Sequence, residues 1–364
     1  MPPIFSKPRI LSLEGKMKTK EIGVIDMFCG VGGLTHGFVL EGYDVIAGID
    51  LDDSCSYAYE KNNKAKFLKR DIRKLKSEEI NKLFSSKKIK VLIGCAPCQP
   101  FSQYSVKPSK RNNDWNLVRS FAKIIEKTKP EIISMENVPQ LQNHKVFKDF
   151  QKKLEKAGYK ISWQIVYGPD YGLPQERERL VLLASRLGEI TLIERTHSPE
   201  NYRTVQDAIG NMSELEAGQS YPKDPMHISS KLSKINLERI KASQPGKTWR
   251  DWSKKLRLAC HKKDSGKGYV SVYGRMEWQK PSPTITTQFF GYGNGRFGHP
   301  EQNRAISLRE GALLQTFPEN YVFAKDQDSI KIKTIGKHIG NAVPVILGQV
   351  IAKSISKHLE GLNA

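Results

Sequence analysis

The sequence is short of acids. Its 364 residues carry 38 Asp+Glu against 59 Lys+Arg, a net charge of +21. So basic a chain makes a polyanion the first partner to consider, because Lys and Arg gain affinity by displacing counterions from phosphates. Cysteine is scarce and odd in number, five residues spread widely, which excludes a disulfide framework. No apolar run reaches transmembrane length, and the N-terminus has no hydrophobic signal-peptide core. A reducing, cytoplasmic setting with no membrane partner is the expectation, and a free thiol can be catalytic there. The third glycine of a nicotinamide fingerprint is also missing. Counted from Gly30, Gly32 is in place but the last position is Thr35, so a dinucleotide site is a poor match.

Apolar runs alternate with helical spacing over most of the chain, and at 364 residues there is ample length for a large core. Ile22 to Phe28 reads as a strand that runs into the turn Cys29-Gly30-Val31-Gly32-Gly33 and a helix from Leu34, the opening of a nucleotide-type βαβ unit. A second strand ends at Asp50, about 20 positions after the glycines, where an acid commonly binds a ribose hydroxyl. Asp52 and Asp53 suit the cap of the next helix better. Arg70-Asp71-Ile72 ends a third segment. The run Val91 to Ile93 delivers Gly94-Cys95-Ala96-Pro97-Cys98-Gln99, placing a cysteine beside a proline at the carboxyl end of a strand, where ligands bind in open α/β sheets. Glu131 to Met135 places Glu136 at the same edge. Ile161 to Val166 and Leu180 to Ala184 read as a closing strand pair. After about Thr191 the alternation stops, and basic and aromatic residues mix with turns, a composition suited to nucleic acid. The predicted division is a basic arm over 1–20, a catalytic domain over 21–190 and 305–364, and a smaller, irregular or β domain over 191–304.

Six stretches, in order, resemble the motifs of the DNA cytosine-5 methyltransferase family of bacterial restriction-modification systems. They are Phe28-Cys29-Gly30-Val31-Gly32-Gly33, Pro97-Cys98-Gln99, Glu136-Asn137-Val138, Gln175-Glu176-Arg177-Glu178-Arg179, Arg309-Glu310 through Gln315-Thr316-Phe317-Pro318, and Gly340-Asn341-Ala342-Val343-Pro344. They run from Phe28 to Pro344, within a resemblance that covers residues 22 to 355. Cys29 stands where the family usually has Ala or Ser, Asp50 where Glu is common, and Trp115-Asn116 where Gly is frequent.

The resemblance implies a Rossmann-like α/β methyltransferase fold with a target-recognition domain, S-adenosylmethionine as cofactor (leaving as S-adenosylhomocysteine) and no metal. Double-stranded DNA is the implied substrate, a separate restriction endonuclease a possible companion, and a monomer the implied state. Phe28, Gly30, Val31, Gly32, Gly33, Leu34, Leu51, Pro97 and Leu117 would surround the cofactor. Asp50 would hold its ribose and Asp71 and Ile72 its adenine, with Asn341, Ala342 and Val343 closing the site. Cys98 would be the nucleophile, Glu136 the acid at cytosine N3 and Arg179 the cation at O2, with Arg177 in support. Gln103, Tyr104 and Ser105 would meet DNA beside the flipped base, and Arg275, Gln288 and Arg296 would read bases.

The chemistry is coherent in itself. Cytosine C5 is a poor nucleophile until a thiolate adds at C6, the charge that forms needs an acid and a guanidinium, and a base inside a duplex must be flipped out to reach them. Three competing readings exist. Cys95-Ala96-Pro97-Cys98 is also a Cys-x-x-Cys, but no second ligand pair repeats that spacing, and Cys95 reads as a small residue ending a strand. An RNA cytosine-5 methyltransferase would use the same motifs. A binding module without catalysis would not need Cys98, Glu136 and Arg179 together.

Overall fold

The computed structural model describes residues 21–85, 87–97 and 115–362. The 1–20 arm, Cys98, Gln103, Tyr104 and Ser105 lie outside the described residues. In chain order the first part of the chain runs β1 (Ile22–Met27), α1 (Gly33–Leu40), β2 (Asp44–Asp50), α2 (Ser56–Asn63), β3 (Lys66–Lys69), α3 (Ser77–Phe84), β4 (Ile89–Gly94), α4 (Trp115–Thr128), β5 (Ile132–Asn137), α5 (Lys145–Lys156), β6 (Lys160–Tyr167), β7 (Gln175–Glu176) and β8 (Glu178–Ser185).

Seven of these strands form one sheet in the order β3-β2-β1-β4-β5-β8-β6. The first five are parallel, and β8 runs antiparallel to both β5 and β6. A parallel sheet is covered on both faces, so its strands are apolar throughout, and every residue of β1 is buried. Side chains alternate between the faces. Val24, Val91 and Ile93 pack with α1 and the last helix, Val345–Gly361, while Ile25, Met27 and Leu92 pack with α3, α4 and α5. Each large side chain so buried contributes about 1.5–3 kcal/mol.

Strand order reverses between β1 and β4, so the chains leaving their carboxyl ends diverge and open a crevice. The last helix comes back to this point. A Cβ on Gly37 would lie 2.5 Å from the backbone of Gly348 and Gln349, so only glycine lets the two helices approach this closely. The Tyr43 hydroxyl donates to the Ala352 carbonyl at 3.0 Å. Within Ile332–Gly361 an 18-residue portion is apolar enough to cross a membrane by composition, but 72% of that portion is buried within the fold.

The region from 191 to 304 is less separate than the sequence implies. Val205, Ile209, Met226, Met276, Ile285 and Phe289 share one core with Leu308, Leu314, Phe317, Ile335 and Val345, and Ser282–Pro283 pairs in parallel with β7. Small clusters of its own centre on Ile240 with Tyr292 and Ala305, and on Trp249, Trp252 and Leu256. At the junction Arg304 grips Glu310 through two contacts of 2.7 Å with both side chains fully buried. Burial opposes the charge on Glu310, yet Arg304 and the Ser307 N–H hold its carboxyl down at about 2.

Candidate active site

One cleft of about 750 Å³ opens at the carboxyl ends of β1 and β4. Asp26, Phe28, Cys29, Gly30, Val31 and Leu34 line it from the first turn, and Asp50, Leu51, Asp52 and Cys55 from the end of β2. Cys95, Ala96 and Pro97 follow from β4, Glu136, Asn137 and Val138 from β5, and Arg177 and Arg179 from the start of β8. Lys337, His338 and Gly340 to Val343 form the opposite wall. Five of the six separated motifs of the sequence therefore meet in one cavity.

At one end Glu136 is buried to 1% exposure. The Cys95 thiol donates to its Oε2 at 2.6 Å. Arg179 Nε lies 2.9 Å from Oε1, but off the line of a hydrogen bond, so Oε1 has no aligned donor. Arg177 stands behind. It donates to the Ile285 carbonyl at 3.2 Å and the Ala342 carbonyl at 3.4 Å, tying β8 to the wall across the cleft. Burial, and then the like charge of Arg179, lower its pKa to about 9, which leaves it a cation at neutral pH. Asn137 donates to the Ala96 carbonyl at 3.0 Å. Cys98 follows Pro97 directly in sequence but lies outside the described residues.

At the other end the turn after β1 is tightly bent. Phe28, Gly30 and Gly32 have φ of 64°, 51° and 89°, and the left-handed conformation is costly for Phe28, the kind of local strain that concentrates at ligand sites. A Cβ on Gly33 would meet the Val343 carbonyl oxygen at 2.2 Å, which is why glycine stands there. Nothing lies within 4 Å of a Cβ on Gly30, so the backbone is open to a ligand. Asp50 accepts from Gly30 N and from Asp52 N, each at 2.9 Å. A carboxylate has about four acceptor sites, so room remains for a ligand hydroxyl. Asp26 accepts from the Thr35 hydroxyl at 2.7 Å through Oδ2, while its buried Oδ1 has no partner. Burial raises the Asp26 carboxyl to about 7. A strained glycine turn, a partly satisfied acid and an orphan carboxylate oxygen fit a nucleoside ligand with a cationic tail.

Three expected cofactor residues are not brought to the cleft. Arg73 occupies both Asp71 oxygens, Ile72 is buried in the core beneath α3, α4 and α5, and Leu117 packs against that same core. Gly32 and Gly33 shape the turn without lining the cavity. Asp26, Cys95, Asn137 and His338 were not anticipated. A carboxylate inside the otherwise apolar run of β1 was the one available signal. Asp52, Cys55 and His338 also bring potential metal-ligating atoms within 4.8 Å of one another at the rim, where the Ser54 hydroxyl already engages Asp52 and His338.

Between residues 191 and 304, Arg275 departs from the expected base contact. It is 4% exposed, and its guanidinium donates to the carbonyls of Ile240, Ser243, His299 and Gln302 and to Asn303, so its donors are engaged within the fold. Arg296 is half-buried and donates to the Lys247 carbonyl at 2.9 Å, and Gln288 is exposed.

A family model for C-5 cytosine-specific DNA methylases matches residues 22–357. The Type II methylase M.HgiDII of Herpetosiphon aurantiacus is 55% identical over 343 residues, covering 93% of this chain and 96% of the relative. The Type II methyltransferase M1.HphI of Haemophilus parahaemolyticus is 30% identical over 346 residues, covering 92% and 86%. A crystal structure of a prophage-encoded E. coli protein assigned as a DNA modification methyltransferase superposes with a TM-score of 0.71 at 21% identity, covering 93% of this chain and 99% of that one. A Spodoptera frugiperda DNMT2 variant gives 0.63 at 16% identity, covering 92% and 99%. At such identities the two structures speak to the fold alone.

Proposed function

The chain belongs to the C-5 cytosine-specific DNA methylase family, and from that premise we propose how its residues divide the work of methylating a flipped-out cytosine in duplex DNA. The reaction class is DNA cytosine-5 methyl transfer of the Type II kind. The observation that carries the assignment of roles is the buried Glu136 with Arg179 at 2.9 Å, in the same cleft as the glycine turn.

Cys98 supplies the thiolate that adds to cytosine C6. Glu136 delivers a proton to N3 as charge builds on the ring, and Arg179 holds O2 and stabilises that charge. Arg177 keeps Arg179 and the far wall in register. Phe28, Gly30, Val31, Leu34, Asp50, Leu51, Pro97 and Asn341 to Val343 would hold the cofactor. When bound, S-adenosylmethionine supplies an electrophilic methyl group on a sulfonium. Asp50, with acceptor sites to spare, would suit its ribose hydroxyls, and Asp26, with an unpartnered oxygen, its cationic part.

The RNA reading is not favoured by a family model of DNA methylases or by relatives named as a Type II methylase and a Type II methyltransferase. A monomer acting in the cytoplasm, with a separate endonuclease cutting the same site, completes the proposal. The test is to sequence plasmid DNA from an expressing host by a conversion method that reports 5-methylcytosine. One cytosine within one short sequence should be modified throughout. An unmodified plasmid from a host making folded enzyme would sink the reading.

A further inference from the structure

The Cys95 thiol has no part in the reaction just described, yet it touches the carboxyl that does. Sγ lies 2.6 Å from Glu136 Oε2. Arg179 Nε lies 2.9 Å from Oε1, which has no aligned donor. The two oxygens of one carboxyl are therefore treated differently. One is engaged by a neutral donor, and the other sits beside a cation within the cleft.

We propose that Cys95 is a positioning residue for Glu136: its thiol holds Oε2, fixes the rotation of the carboxyl and leaves Oε1 as the oxygen that meets N3 of the target cytosine. This rests on Glu136 acting at the base. The last torsion of a glutamate is broad and roughly two-fold, so without a partner on one side the two oxygens exchange. A thiol is a weak donor. It secures the geometry without placing a further charge beside Glu136. Burial and the neighbouring Glu136 push the Cys95 pKa well above its ordinary value, which keeps it a donor at working pH. Arg177 and Arg179 are the other charged groups around this pair among the described residues.

The experiment measures single-turnover methyl transfer by Cys95→Ala and Cys95→Ser on preformed enzyme–DNA–cofactor complexes, beside their equilibrium affinities for duplex DNA and S-adenosylmethionine. Losing the donor in Cys95→Ala should slow transfer about fivefold to tenfold with both affinities within about twofold. Cys95→Ser, a donor of similar size, should restore the rate. A Cys95→Ala enzyme as fast as wild type, or a Cys95→Ser enzyme as slow as the alanine variant, overturns the proposal. Cys95→Val repeats the loss of the donor if the alanine variant does not fold. Glu136→Gln separates the two readings. Full activity there would remove Glu136 from the chemistry. An inactive Glu136→Gln beside Cys95 variants of wild-type rate would remove only the positioning role.

Discussion

Asn137 donates its side-chain amide to the Ala96 carbonyl at 3.0 Å, joining the end of β5 to the loop that leaves β4. Its own Oδ1 accepts from Val138 N at 2.9 Å, which fixes the amide's orientation. Glu136 and the peptide leading to Pro97 and Cys98 are thereby one mechanical unit, although 41 residues separate them in sequence. Asn137→Ala would leave the Ala96 carbonyl buried without this donor, at about 1–3 kcal/mol. Methyl transfer should fall by about one to two orders of magnitude, while the equilibrium affinity for S-adenosylmethionine stays within a few-fold. A single-turnover rate equal to wild type would show that the link does not position the nucleophile.

Cys98 should be indispensable and separable from binding. Cys98→Ala should lose methyl transfer and keep its affinity for duplex DNA, because the phosphate contacts lie elsewhere. A duplex with 5-fluorocytosine at the target should trap a covalent enzyme–DNA species with cofactor present, since fluorine cannot leave as the C5 proton does. Denaturing gel electrophoresis reads the adduct directly, and its absence with wild-type enzyme on the correct site would count against nucleophilic addition.

The parallel sheet was legible because strands covered on both faces must be apolar nearly throughout, as Val91, Leu92 and Ile93 are. The position of Glu136 at the cleft was legible because it ends a strand beside the one that delivers Cys95, whereas Arg177 and Arg179 were expected there only through the resemblance. The surroundings of Arg275 were not legible. Its type suits a bidentate base contact, and only the fold reveals the four backbone carbonyls gathered around it. The pairing of Asp71 with Arg73 two residues on likewise depends on a turn whose geometry the composition leaves open. Cys95 was read as filler because a small residue at a strand end needs no further explanation until its neighbour across the sheet is known.

Asp26 ties stability to pH. Burial raises its carboxyl to about 7 from an ordinary value of 3.8, so between those two values the folded chain binds a proton that the unfolded chain has lost. Stability from this site is therefore present at low pH and lost as pH rises through about 7, by at most ~4 kcal/mol. Asp26→Asn keeps an acceptor for Thr35 and cannot ionise. Without cofactor, its melting temperature should exceed wild type clearly in mild alkali and little in mild acid. A difference that is the same at both pH values would mean that Asp26 does not ionise on this schedule.

The recognition region should separate into residues that build it and residues that read DNA. Arg275 belongs to the first group. It is buried and satisfies carbonyls from Ile240, Ser243, His299 and Gln302 at once, so Arg275→Ala leaves several acceptors without partners in a dry interior. Each buried carbonyl left without its donor costs about 1–3 kcal/mol, seen as a lower melting temperature, with no shift in base preference for the molecules that remain folded. Gln288 is exposed and free of that duty. Gln288→Ala should leave stability alone and, if it meets a base, relax one position of the site by about 1–3 kcal/mol. Lys254, Lys255, Lys262 and Lys263 are exposed as well. Replacing any one that meets a phosphate should weaken cognate and unrelated duplexes alike and reduce the salt slope by about one counterion. Thermal melts combined with binding over a salt series and over single-base variants distinguish the three outcomes. A stable Arg275→Ala enzyme with altered base preference would return that residue to the DNA interface and require the lobe to open when duplex binds.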